Sequence, residues 1–503
     1  MRINASFVVL SLVSSAAAFW RMECRGRVGL ARLDPLISPG TASQHAHVIH
    51  GSSGFNADPT HEDLVNGECT SCIVKEDKSA YWTPNVYFKH ANGTYQEVNQ
   101  VGGMLAYYFL NKDQKNPDGK IRAFPNNFRM IAGDSTRRTY SIAGFSYLEA
   151  DPAKSLWGQL GQTNQRDLEQ RAVGFNCLNY NKDPEGSLQR HYLPDKNYLD
   201  ANCPDGVRFE VSFPSCWNGK DIDSPDHKSH VAYPDLVLNG NCPDGFDVKL
   251  PGLFYETIWE TNAFRGIEGE FVISNGDVQG FGYHGDFISG WDSDFLQQAV
   301  NTCTNLSGRV QDCPIFSLQS EDDQRSCKMA TPPFIAGEKV AGLIGDSLPG
   351  GVVIQYGPGS ANGDDKPQTS PVSVPVPTVG YTPGTTVTGS EYLPGGVFQE
   401  SSTSTSETSA PTSFAPEVNT LGVQMQSPAP TATPTSSDGQ AAGGYEIITT
   451  QYITNGNVVS KIVVVETVDY VMVPTETVTV TAAMGRKKAR HGIHLRRHRD
   501  TAH

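Results

Sequence analysis

The sequence predicts a mainly β protein: an antiparallel sandwich or jelly-roll-like single large domain with few short helices, followed by a disordered Ser/Thr/Pro stalk. Three observations carry that expectation. Short runs rich in aromatic and β-branched residues recur between Phe19 and Tyr356, each bounded by Gly, Pro, Asn or Asp. All ten cysteines fall between Cys24 and Cys327, an even number that pairs most simply as up to five disulfides in an oxidising compartment. Beyond Tyr356 the chain turns to Pro, Ser, Thr and Gly without cysteine, a composition too poor in apolar side chains to offset its ordering entropy.

The elements follow in chain order. Residues 1–18 have the zones of a secretory signal peptide: Arg2 at the start, an apolar run from Phe7 to Val13, and small residues ending at Ala18, so that Phe19 begins the mature chain. Residues 19–355 form the β-rich domain, and a stretch of about 340 residues is ample for a closed core. Strands are expected over Ala80–Phe88, Met104–Leu110, Val207–Phe213, Phe246–Leu250 and Leu253–Trp259. In Val207–Phe213 the apolar residues share one face and Arg208, Glu210 and Ser212 the other, the pattern of a half-buried antiparallel strand. One helix is credible, capped by Asp292 or Ser293, with Phe295, Leu296, Ala299 and Val300 at helical spacing and Cys303 tying down its end. Cys203-Pro-Asp-Gly206 is echoed by Cys242-Pro-Asp-Gly245, each a turn signal before a strand. Residues 356–444 are the stalk, 445–484 a β-prone segment with a hairpin signal at Asn455-Gly456, and 485–503 a basic, His-rich tail. Sequons at Asn92 and Asn305 fit an exported glycoprotein. A formal net charge of -15 argues against nucleic acid as a partner, and no stretch has the length and apolarity of a membrane span.

The densest chemistry lies in Gln44 to Gly51, which holds three of the thirteen histidines. On an extended backbone side chains alternate, so His45 and His47 share a face and His50 takes the other. Further polar islands are Asp34; Asp226 with His227 and His230; Asp277; and His284 with Asp286. As a metal site, His45, His47, His230 and His284 supply imidazoles suited to Zn or Cu, with a carboxylate such as Asp286 as ligand or as the group that orients a ring. No cofactor is demanded by the sequence itself. As an acid/base site, a glycosidase needs two carboxylates across the scissile bond, and Asp34, Asp226, Asp277, Asp286, Glu256 and Glu260 are candidates. A lyase needs a base to take the proton beside a uronate carboxyl group, a task that suits histidine. Trp82, Trp217 and Trp291 stand beside Pro, Cys or Gly, where an exposed ring would stack on a sugar. Cys69-Thr-Ser-Cys72 has no second CxxC and reads as structural disulfide rather than as a redox or zinc motif.

Several ordered segments resemble one family: Asp34 to Gly40 with Ser43 to His47, Cys69 to Cys72, Tyr81 to Asn85, Ala123 to Pro125, Met130 to Gly133, Phe213 to Trp217, Asp226 to Pro234, and Ser274 to Asp277 with His284 to Phe287. Through them the chain resembles the secreted fungal proteins that carry the domain of unknown function 1996, over about residues 20 to 330. The resemblance implies a fungal extracellular setting and no defined activity.

The expectation for function is a secreted fungal protein, free or wall-associated, that acts on or binds cell-wall or other extracellular polysaccharide, as a hydrolase or lyase. His45, His47, His230, His284 and Asp286 are its expected catalytic residues, supported by Asp34 and Asp226. The alternative is a non-catalytic wall or adhesion module with structural histidines, in which Trp217 and Trp291 form a sugar platform.

Overall fold

The computed structural model describes residues 18–113, 115, 119–142 and 146–357, together with the backbone of 446–455 and 458–466. The expected leader, stalk and basic tail lie outside the described residues, save for Ala18, Tyr356 and Gly357. The chain divides into two units, Met1–Thr405 and Ser406–His503.

Ten strands of the first unit form its two main sheets: β1 (Phe19–Cys24), β2 (Gly29–Ala31), β3 (His47–Gly51), β4 (Ala80–Pro84), β5 (Gln100–Phe109), β6 (Arg129–Gly133), β7 (Val173–Cys177), β8 (Val207–Ser212), β9 (Gly252–Trp259) and β10 (His284–Ile288). The front sheet has the order β1-β5-β9-β8-β7 and the back sheet β2-β3-β4-β10-β6, with every neighbouring pair antiparallel. Their inner faces meet through aromatic side chains: Tyr81 lies edge-on to Tyr255 at 5.6 Å, and Phe213 to Phe287 at 6.5 Å. The protein is thus mainly β, with several antiparallel sheets and a few short helices, as the patterning indicates.

The alternation in β8 is observed, but its polar face is not solvated. Val207, Phe209 and Val211 enter the core, while Glu210 is also fully buried. Glu210 accepts hydrogen bonds from Leu188 N at 2.6 Å and Ser187 Oγ at 2.8 Å, and Arg208 pairs with it at 2.7 Å. An interior strand overlaid by the Ser187–Leu188 segment buries both faces, and its charges are retained because each is paired. The expected strand Ala80–Phe88 is in fact two. Pro84 ends β4, Asn85 N bonds back to the Ala46 carbonyl, and Val86–His90 joins a separate four-stranded sheet. The helix Ser293–Thr302 is present, with the Asp292 side chain accepting from Phe295 N and with Leu296, Ala299 and Val300 buried.

Five disulfides link Cys24–Cys72, Cys69–Cys327, Cys177–Cys203, Cys216–Cys242 and Cys303–Cys313. The two cysteines of the CxxC segment therefore pair elsewhere, not with one another or around an ion. Each Cys-Pro-Asp-Gly cysteine closes on a partner 26 residues upstream, so the sequence echo is also a covalent one. All six tryptophans are buried, Trp217 being the most accessible at 9%. The sugar platform expected of Trp217 and Trp291 is therefore overturned: their rings pack in the core, and their indole N–H groups donate to Asp221 O and Tyr108 Oη. In the second unit, strands Glu446–Asn455 and Val458–Glu466 pair antiparallel up to Asn455 opposite Val458, as the hairpin signal indicates.

Candidate metal centre

The outer face of the back sheet carries the site. Gly285 of β10 faces inward, where a Cβ would stand 2.9 Å from Val211 Cγ1 and 3.0 Å from Phe213 Cζ. Because side chains alternate, that inward glycine sends His284 and Asp286 to the opposite side. The same rule acts at β3, where Val48 enters the core and His47 takes the other face; His45, in the bend that precedes the strand, brings its ring to 4.3 Å from that of His47. β4 runs between the two pairs, with Pro84 opposite His47 and Trp82 opposite Asp286. Extending that register places His284 beside Pro84, across β4 from His47.

They do converge. His45 Nε2 is 3.2 Å from His284 Nε2, and one ring nitrogen from each of His45, His47 and His284 lies within 4.8 Å of the others. Two nitrogens on one tetrahedral zinc ion stand about 3.3 Å apart, so the His45–His284 spacing already suits a shared ion. His284 Nδ1 bonds the Gly282 carbonyl at 2.9 Å. A carbonyl only accepts, so this nitrogen carries the proton and the Nε2 lone pair faces the cluster. Neither nitrogen of His47 makes a hydrogen bond of normal geometry, although the Leu33 backbone lies near enough to act weakly on the ring.

Burial keeps these rings neutral. His45, His47 and His284 are 8%, 0% and 3% exposed. Desolvation, reinforced by the neighbouring imidazoles, holds His45 and His47 well below the usual histidine range. Desolvation also lowers His284 to about 4, with Lys228 and Arg138 adding to the effect. Neutral imidazole is the form that binds a metal ion.

Two buried aspartates adjoin the cluster. Asp286 has one carboxylate oxygen 3.9 Å from His284 Nε2, and neither oxygen has a hydrogen-bond partner. Asp34 accepts from Leu36 N at 3.2 Å and Ile37 N at 3.3 Å. Burial raises both carboxyl groups, and the charge of Asp34 raises Asp286 further.

The other expected residues hold the surroundings. Asp277 accepts from Gln279 N and Gly282 N, shaping the turn whose Gly282 carbonyl orients His284. Ser274 Oγ ties that turn to Ala46 O, between His45 and His47. His230 does not join the cluster: its ring nitrogens are engaged by Ser224 Oγ and Arg129 O, each at 2.8 Å. Asp226 is exposed and organises its own loop, accepting from Ser224 Oγ, Lys228 N and Ser229 N and Oγ. His227, in the left-handed region at φ 54°, bridges Asp223 at 2.7 Å and the Leu36 carbonyl at 2.9 Å, strapping this loop to the turn that carries Asp34. Glu256 belongs to the front sheet, where Tyr107 Oη donates to it at 2.7 Å, and Glu260 bonds Asn99. Sequence reasoning passed over Arg138, Lys228 and the Gly282 carbonyl, because no local pattern marks a charge or a backbone group that acts only across the fold.

Five disulfides are consistent with an extracellular protein. No helix among the described residues is long and apolar enough to cross a membrane. Neither a curated protein nor a solved structure matches the chain. One family model does, described as a domain of unknown function (DUF1996), over residues 34–291. That span is more than half of the chain and includes Asp34, all three clustered histidines and Asp286. The chain belongs to the DUF1996 family.

Proposed function

We propose that this chain is a secreted fungal protein that acts on extracellular or cell-wall polysaccharide through a divalent metal, Zn or Cu, held by His45, His47 and His284. The observation that carries the reading is the convergence of three neutral, buried imidazoles whose ligating nitrogens lie within 4.8 Å of one another. His47, whose ring nitrogens make no hydrogen bond of normal geometry, and Asp286, whose two oxygens have no partner, are an unfavourable set to bury without a cation to satisfy them. When bound, the ion would supply Lewis-acid polarisation of a substrate oxygen. The chain's own residues do the rest: the Gly282 carbonyl and Asp277 hold His284, and Asp34 offers a carboxyl group for proton handling. The leader-like start and the disulfides support export, and the family resemblance supports the fungal setting.

A second reading, a non-catalytic wall module with structural histidines, is favoured by the low exposure of the cluster. One experiment separates the two. Purified protein is offered glucans, chitin and uronate polymers, and reducing ends and unsaturated products are measured alongside metal content. The proposal expects about one equivalent of metal and product formation that a His47→Ala, His284→Ala double variant loses. Metal-free wild type, or no product from any polymer, defeats the catalytic reading.

A further inference from the structure

We infer that Asp286 supplies a fourth, oxygen ligand to the ion, so that the centre is a three-nitrogen, one-oxygen site built from two His-x-His/Asp pairs. The inference rests on the proposal that His45, His47 and His284 hold a metal, and goes beyond it in ligand set and in the class of ion selected.

The first support is construction. His45-Ala46-His47 and His284-Gly285-Asp286 each set two donors two residues apart with a small residue between them, the second pair on β10 and the first where a bend at His45 leads into β3. Ala46 is fully buried, and Gly285 admits no Cβ without contact with Val211 and Phe213. Each pair is thereby held with both donors toward the outer face.

The second support is independent of the histidines. Eight carboxylate side chains are buried among the described residues: Asp34, Asp77, Asp113, Asp167, Glu210, Glu256, Asp277 and Asp286. Seven of them accept at least one hydrogen bond. Asp286 alone has both oxygens without a partner, at 1% exposure. A buried carboxylate with nothing to bond costs several kcal/mol, and proteins keep such a group where it is paired or coordinates a cation. The nearest group of the cluster is His284 Nε2 at 3.9 Å, a lone-pair nitrogen that offers no proton. Asp286 stands outside the set of ligand atoms that lie within 4.8 Å of one another, so its carboxylate would reach an ion held there by turning further toward His284 Nε2, and a cation so bound would satisfy both groups.

The ligand set has a chemical consequence. Adding a hard oxygen donor to three imidazoles favours divalent first-row ions over monovalent copper, which prefers soft sulfur ligands. With four protein ligands a tetrahedral ion is closed, and substrate can reach it only if the ion takes five or six ligands.

The test uses the full-length protein, freed of metal and titrated with Zn2+ and Co2+ against a chromophoric chelator. Asp286→Asn, close to isosteric, is expected to weaken Co2+ binding at least about 10-fold, with the three histidines retained. Asp286→Cys places a thiolate at the same position. Its Co2+ complex is expected to show a near-ultraviolet sulfur-to-cobalt charge-transfer band absent from wild type, which a merely supporting carboxylate would not produce. If Asp286→Asn binds as tightly as wild type and Asp286→Cys shows no such band, the oxygen ligand is wrong while the three-histidine reading stands. If wild type binds neither ion, both fall.

Discussion

Zinc binding at pH 6 should release far fewer protons than three ordinary imidazoles would, and the count tests the electrostatics of the site. Three ordinary imidazoles near pKa 6.5 would each be about three-quarters protonated at that pH, so binding would expel about 2.3 protons. Here desolvation lowers His284 to about 4 and holds His45 and His47 well below the usual range. A ring titrating near 4, as His284 does, is only about 1% protonated at pH 6, and the other two are depressed in the same direction, so the imidazoles should release well under about 2.3 protons. Asp286 runs the other way: burial first, and the neighbouring Asp34 second, hold its carboxyl group well above the carboxylate range. Any proton that this shift leaves on the carboxyl group would add to the count when the group becomes a ligand. Calorimetric titration with Zn2+ in buffers of different ionisation enthalpy measures the count directly, since the observed heat varies with buffer in proportion to the protons released. Wild type should release clearly fewer than the roughly 2.3 protons of ordinary imidazoles, and Asp286→Asn no more than wild type. Release of two or more protons by wild type would show that the histidines are not held neutral.

Two further outcomes follow from the framework of the site. His227 is raised above its ordinary value, first by its hydrogen bond to Asp223 and also by Asp34, against desolvation. Its contribution is therefore complete below pH 6.5 and is lost as pH rises through the raised folded value. His227→Asn keeps a residue that tolerates the left-handed conformation. It should cost about 1 kcal/mol at pH 5, allowing for partial exposure, and converge with wild type by pH 9. Urea denaturation at the two pH values checks this, and an equal loss at both would mean that the strap does not depend on charge. Gly285→Ala would drive a methyl group against Val211 and Phe213, for a loss of about 1–3 kcal/mol, and should weaken metal binding by displacing His284 and Asp286. Thermal unfolding with and without Zn2+ measures both effects, and a variant as stable and as responsive to zinc as wild type would show that the sheets separate freely there.

Much of the site is legible in residues that lie close in sequence. Period-two alternation separates His50 from His45 and His47, and His50 indeed turns away to Gly26 O and Gln100. It pairs His284 with Asp286 for the same reason. The helix at Ser293–Thr302 is equally readable, because its cap and its buried stripe are local. What failed was long-range. His230 has the same composition-level credentials as His284, yet one is consumed by Ser224 and Arg129 and the other meets His45. Trp217 and Trp291 sit beside residues typical of turns, and only packing shows that these turns fold inward.

By itself the sequence determined a disulfide-rich β protein and the faces on which its donors stand, since alternation and turn chemistry act over a few residues. Tertiary structure alone decided which of those faces meet. β4 lies between β3 and β10, so two His-x-His/Asp pairs separated by more than two hundred residues come together above Pro84. The same packing withdraws water from them and leaves Asp286 without a partner. Strand order and desolvation are properties of the whole fold, and no local pattern encodes them.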